Sequence, residues 1–142
     1  MPGYIDKVWT RFYSANVTPK CVEAPHVWTA PQYGSSQPQL TTPIDSSPPL
    51  SAPEKTRLQE IVGSLLYFAR CIDSTILATL GSIGTNISDG TECVSAMAAY
   101  LLKFCANNRN PKVRYYARNM QLCGHTDASY LSVSKARSRA AA

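Results

Sequence analysis

The sequence is poor in charge and has no long hydrophobic run. Asp, Glu, Lys and Arg make up 16% of its 142 residues, against roughly 25% in ordinary soluble domains. The apolar share, 44%, is ordinary, so a charge-driven disordered chain is excluded and a packed core is expected. The longest nearly apolar stretch, Ile61 to Ala69, falls far short of the roughly 20 residues a membrane-crossing helix needs, and no membrane partner is expected. The N-terminus carries no apolar leader with a small-residue cleavage site, which predicts a cytoplasmic or nuclear protein that is not secreted. The tripeptides at Asn16 and Asn86 then match the glycosylation signal only by chance. Paired cysteine motifs are missing too. Cys21, Cys71, Cys93, Cys105 and Cys123 are odd in number and show no C-x-x-C spacing, so reduced, buried thiols are expected.

Proline is unevenly spread. Nine of the ten prolines lie in residues 1–53 and only Pro111 follows. The compact part is thus about ninety residues long, near the size at which one core gives marginal stability. Charge is uneven as well. Residues 1–102 hold six basic and eight acidic side chains, a balance of −2, whereas residues 103–142 hold eight basic and one acidic, a balance of +7. Tyr115, Tyr116 and Tyr130 interleave with the late basic residues, a mixture suited to phosphate neutralisation and base stacking.

Apolar spacing at Tyr4, Ile5, Val8, Trp9 and Phe12 predicts a short helix within residues 1–14. Residues 15–52 are rich in Pro, Ser, Thr and Gln and read as an extended Pro-rich linker or arm, with His26, Trp28 and Tyr33 as anchors onto a neighbouring surface. Ser51 and Glu54 form a capping-box pair, so a helix follows to about Arg70, burying Leu58, Ile61, Val62, Leu65, Leu66, Ala69 and Ile72. Asp73 caps a second helix with Ile76, Leu77, Leu80 and Ile83 as its apolar positions. A third opens near Asp89 to Thr91, buries Val94, Met97, Ala98, Leu101, Leu102 and Cys105, and stops at the Asn107 to Pro111 turn formers. Residues 53–110 therefore form a three-helix segment. Beyond Pro111 the period becomes strand-like. Val113, Tyr115 and Ala117 alternate with polar residues, and a turn at Arg118-Asn119 returns Met120 to Thr126 as a second strand. The expected fold class is mainly α, with a C-terminal β-hairpin and a Pro-rich arm.

In that second strand Cys123, His125 and Asp127 share one face. Four ligands in two separated pairs would mark a structural zinc site, and no second pair exists. Asp127, a lone carboxylate among basic residues, suits a hard cation such as Mg²⁺. No Asp or Glu follows it, whereas two-metal phosphodiester hydrolysis needs several carboxylates. A Gly-rich phosphate loop is missing as well.

Several segments resemble the Pol polyproteins of copia-like and related retrotransposons, at the join between reverse transcriptase and ribonuclease H. They are Leu58-Gln-Glu-Ile-Val-Gly-Ser-Leu-Leu-Tyr-Phe-Ala-Arg70, Leu101-Leu-Lys-Phe-Cys-Ala106, His125-Thr-Asp-Ala-Ser-Tyr130 and Ser134-Lys-Ala-Arg-Ser-Arg139. Met1-Pro-Gly-Tyr-Ile5 and the stretch from Pro25 to Gly34 are similar to the end of the polymerase region and the strap after it. The resemblance implies four parts. Residues 1–14 end the reverse transcriptase region, 15–52 link, 53–110 form the thumb or connection segment, and 111–142 open a truncated ribonuclease H-like α/β domain. It implies that Asp127 is the first ribonuclease H carboxylate and a Mg²⁺ ligand in the intact parent enzyme, with no metal held tightly by this chain alone. RNA–DNA hybrid, or another nucleic acid, and the rest of the polyprotein are the implied partners. Lys112, Arg114, Arg118, Lys135, Arg137 and Arg139 are the expected nucleic-acid contacts. On this reading the chain is a fragment, inactive by itself. The alternative, from another class, is a small non-enzymatic helical interaction module with a Pro-rich arm.

Overall fold

The computed structural model describes residues 1–13, 17–27, 45–114 and 116–117, together with the backbone of 128–133 and 137–140. Four α-helices make it mainly helical: α1 (Tyr4–Phe12), α2 (Ala52–Cys71), α3 (Leu77–Asn86) and α4 (Glu92–Asn107). The chain divides into two compact units, Met1–Trp28 with Ser47–Arg114, and Thr29–Ser46 with Tyr115–Ala142.

The helices of the first unit start where local chemistry permits. Gly3 precedes α1 with φ 74°, a left-handed conformation that glycine adopts without a Cβ penalty. At the start of α2 the Glu54 carboxylate accepts from the Ser51 N–H at 2.9 Å and from the Ser51 hydroxyl. These bonds hold the Glu54 carboxyl below its ordinary pKa, the hydroxyl having the larger effect. Asp73 accepts from the Thr75 N–H and caps a short 3-10 turn, Ser74–Ile76, that leads directly into α3. Thr91 caps α4 by accepting from the Val94 N–H.

The core is built from residues spaced three and four apart. Ile5, Val8, Trp9 and Phe12 of α1 meet Leu58, Ile61, Leu65, Phe68 and Ala69 of α2, and Leu101, Leu102, Cys105 and Ala106 of α4; Ile76, Leu80 and Ile83 close the far side. α2 and α4 each pack against the other three helices. Two positions expected in the core lie outside it: Leu66 is 39% exposed and Leu77 36%. They flank the buried stripe at its edge, where an apolar pattern alone cannot fix the boundary.

Irregular chain ties the helices together. The Trp9 indole N–H donates to the Val17 carbonyl at 3.0 Å, and the Asn107 amide donates to the Lys20 carbonyl at 3.0 Å. A second tie joins the entrance of α2 to that of α4. Leu50 N–H donates to Gly90 O, Glu92 N–H to Pro48 O, and Cys93 N–H to the Ser47 hydroxyl. Gly90 sits at φ 55°, and a Cβ there would lie 2.7 Å from the Lys55 side chain. The left-handed backbone is what favours glycine here, since the Lys55 side chain can move aside. His26 is exposed, while Trp28 and Tyr33, its companion anchors in the sequence reading, lie outside the described residues.

In the second unit β1 (Ala128–Val133) and β2 (Arg137–Ala140) pair antiparallel, with Ala128 opposite Ala140, Ser129 opposite Arg139 and Val133 opposite Arg137; an irregularity falls between Ser129 and Val133. This differs from the hairpin read from sequence. Val113, Arg114, Tyr116 and Ala117 adopt no strand, and the expected return strand, 120–126, lies outside the described residues. A short alternating run carries no information about its pairing partner, and strand identity depends on that partner.

The cysteine expectation also needs correction. Cys105 is buried, but Cys21, Cys71 and Cys93 are exposed. Cys71 and Cys93 stand at the last turn of α2 and the first turn of α4, off the apolar stripe. Burial pushes the Cys105 thiol up to about 12, with the negative charge of Asp73 adding to the effect. Alkylation at pH 8 should therefore label Cys21, Cys71 and Cys93 in the native protein and Cys105 only after unfolding. The sign of the pH effect follows. A raised native pKa contributes nothing against folding below the unfolded thiol value near 9, and stability falls as pH climbs from there toward 12. Native labelling of Cys105 at pH 8 would contradict the packing described.

Among the described residues, no helix is long and apolar enough to cross a membrane.

Candidate nucleic-acid interface

The basic C-terminal third begins where α4 ends. Asn108 closes the helix: its N–H donates to the Phe104 and Cys105 carbonyls, and its side-chain amide donates to the Phe104 carbonyl at 3.1 Å. Arg109 folds back, its Nε donating to the Ala106 carbonyl at 2.7 Å, and its guanidinium pairs with Asp6 of α1. Pro111 then prevents any continuation of the helix. Beyond it Lys112, Arg114 and Tyr116 are all exposed, Tyr116 at 73%.

That geometry sorts the basic residues by availability. Arg109 belongs to the ionic tie between α1 and the end of α4, so it is not a spare cation. Lys103 is half-buried on α4. Lys112 and Arg114 are exposed, and none of the hydrogen bonds or ion pairs among the described residues engages them. Arg137 and Arg139 stand two residues apart on β2, opposite Val133 and Ser129 of β1. Arg118 and Lys135 lie outside the described residues. Lys112 and Arg114 thus belong to the first unit, and Arg137 and Arg139 to the second.

Asp127, the position that the resemblance assigns to a Mg²⁺ ligand, also lies outside the described residues, as do Cys123 and His125. Among the described residues no three His, Cys, Asp or Glu side chains converge as a metal would require.

The segments that carry the resemblance in the first unit do meet. Tyr4 and Ile5 of α1, Leu58 to Arg70 of α2, and Leu101 to Ala106 of α4 contribute most of one core. Tyr4 is the joint. Its hydroxyl donates to the Ser64 carbonyl at 3.1 Å, and its ring stacks on Phe68 with centroids 6.0 Å apart. Burial, reinforced by Tyr67 and Cys71, raises the Tyr4 pKa and keeps that hydroxyl a donor. Sequence reasoning missed two structural roles: the Arg57 guanidinium donates to the Phe12 carbonyl, and the Val17 and Lys20 carbonyls anchor the chain after α1. Backbone acceptors leave no mark in side-chain identity, so no sequence signal marked these contacts.

Comparison with family models, with curated proteins and with solved structures gave no significant match.

Proposed function

We propose that the chain is a connection segment of a retrotransposon Pol polyprotein that contacts RNA–DNA hybrid without hydrolysing it. The observation that carries this reading is the exposed basic run after α4, in which Lys112, Arg114 and Tyr116 follow a helix end whose own cation, Arg109, is already engaged. Cations without partners among the described residues suit phosphate neutralisation, and an exposed tyrosine suits stacking. A hybrid duplex is recognised by backbone shape and charge rather than base edges, which such a surface can provide. The shared core of the three resembling helical segments supports the same reading, since residues that conform to one pattern then serve one packing unit.

Asp127 keeps its proposed role as the first ribonuclease H carboxylate. Arg118, Lys135, Arg137 and Arg139 are proposed as further nucleic-acid contacts. With no further Asp or Glu after Asp127, the several carboxylates of two-metal hydrolysis are not supplied there. The purified chain with Mg²⁺ is therefore expected to bind hybrid and leave it intact. Arg137→Ala or Arg139→Ala should each weaken binding across all sequences alike, by removing a phosphate contact. Cleavage by the wild type that vanishes in Asp127→Asn would overturn the binding-only reading.

A further inference from the structure

The outer surface of α2, near its end, carries an aromatic side chain that the core does not use. Tyr67 is 54% exposed. Its ring leans on that of Tyr4, with centroids 5.7 Å apart and planes tilted by 53°, and Tyr4 is itself held by Ser64 and Phe68. Tyr67 is thus supported on one side and open to solvent on the other. Helical side chains lean toward the N-terminus, over the preceding turn. Gly63 stands there, one turn before Tyr67, and a Cβ built on it would meet nothing within 4 Å. The surface over which Tyr67 leans is left clear, and a flat ring can lie alongside.

Charge selects the occupant. α1 and α2 carry three carboxylates, and each has a partner: Asp6 pairs with Arg109, Glu60 with Arg11 at 3.1 Å, and Glu54 accepts from Ser51. Arg70 follows Tyr67 by three residues and so stands on the adjoining face. It is exposed and makes no ion pair or hydrogen bond among the described residues. The same end of α2 borders the basic run: Phe68 and the C-cap Ile72 line a pocket of about 390 Å³ together with Arg109, Pro111 and Lys112. An apolar protein surface would leave Arg70 and Lys112 unanswered. A polyanion with flat rings answers both the cations and the open tyrosine, and only unpaired bases offer their faces for stacking.

We infer that the end of α2 takes the single-stranded overhang of a hybrid, with one unpaired base stacked on Tyr67 and a neighbouring phosphate paired with Arg70. The site rests on the reading that Lys112 and Arg114 contact the hybrid, and it extends that contact from paired to unpaired nucleotides. Stacking reads no base identity, because every base has a π-face, so the overhang is held without sequence preference.

The test compares, by fluorescence anisotropy with the full chain, a blunt RNA–DNA hybrid and the same hybrid with a DNA overhang of about ten nucleotides, within the usual size of single-strand sites. The overhang should tighten binding about tenfold, equivalent to about 1.4 kcal/mol and within the range for one stacked base. Tyr67→Ala and Tyr67→Leu should each abolish that gain and Tyr67→Phe should keep it, while all three bind the blunt hybrid as the wild type does. Tyr67 lies outside the buried core, so the variants should retain the wild-type helical spectrum. Arg70→Ala should reduce the salt slope by about 0.7 on the overhang hybrid and leave it unchanged on the blunt one. Equal affinity of the wild type for the two hybrids, or a gain that survives Tyr67→Leu, would overturn the stacking site and leave the blunt-hybrid contact standing. Affinity for the overhang hybrid that depends on Tyr67, without affinity for the blunt one, would support the stacking site and count against the hybrid contact; binding of neither would overturn both.

Discussion

Phe68→Ala is expected to lower the unfolding free energy by about 3–5 kcal/mol, the usual cost of removing a buried phenyl ring. Phe68 is 1% exposed, lies on α2 and stacks against Tyr4 of α1. Truncation therefore leaves a cavity at the junction of two helices and removes the surface on which Tyr4 rests. Against a total stability of roughly 5–15 kcal/mol for a domain of this kind, the loss takes about a fifth or more. Leu66→Ala, on the same helix but 39% exposed, is the control and should cost less than about 1 kcal/mol. Urea denaturation followed by helical circular dichroism checks both. Equal destabilisation by the two substitutions would show that α2 presents a different face to the core.

The second large effect concerns salt. If the six basic residues Lys112, Arg114, Arg118, Lys135, Arg137 and Arg139 all reach phosphates, log affinity for hybrid should fall with log salt at a slope of about −5. Between 50 and 200 mM salt that amounts to roughly a thousandfold loss. Engagement of Arg109 by Asp6 predicts that Arg109→Ala leaves the slope nearly unchanged, because its charge already faces a carboxylate. A flat salt response would remove the electrostatic basis of the proposed interface.

The helical unit was largely legible in the sequence, and each legible feature had a local physical cause. Ser51 with Glu54, Asp73, and Thr91 marked three helix starts because short polar side chains satisfy free N–H groups there. The spacing of Leu58, Ile61, Leu65 and Ala69 marked a buried face because period 3.6 puts them on one side, whereas Phe68, 1% exposed, was not among the residues expected there. Leu66 and Leu77 were misplaced because hydrophobicity does not reveal which neighbour is at hand. The strands were legible only as a tendency. Strand formers are frequent from Val113 to Val133, but pairing is a long-range choice, and β1 and β2 lie later than the alternation at Val113 to Ala117 suggested. The candidate interface was legible as a charge imbalance, yet the sequence could not separate Lys112 and Arg114 from Arg109. Their difference is the ion pair with Asp6, 103 residues away along the chain.

The central claim is that the basic C-terminal third contacts nucleic acid while the helical unit supplies a separate, stable core. One measurement tests it most directly: the affinity for an RNA–DNA hybrid of the wild type and of a variant with alanine at all six of these basic positions, at low salt. The account predicts that the variant keeps its helical spectrum and its cooperative unfolding and loses hybrid binding by about a thousandfold. A folded variant that binds hybrid as tightly as the wild type would contradict it.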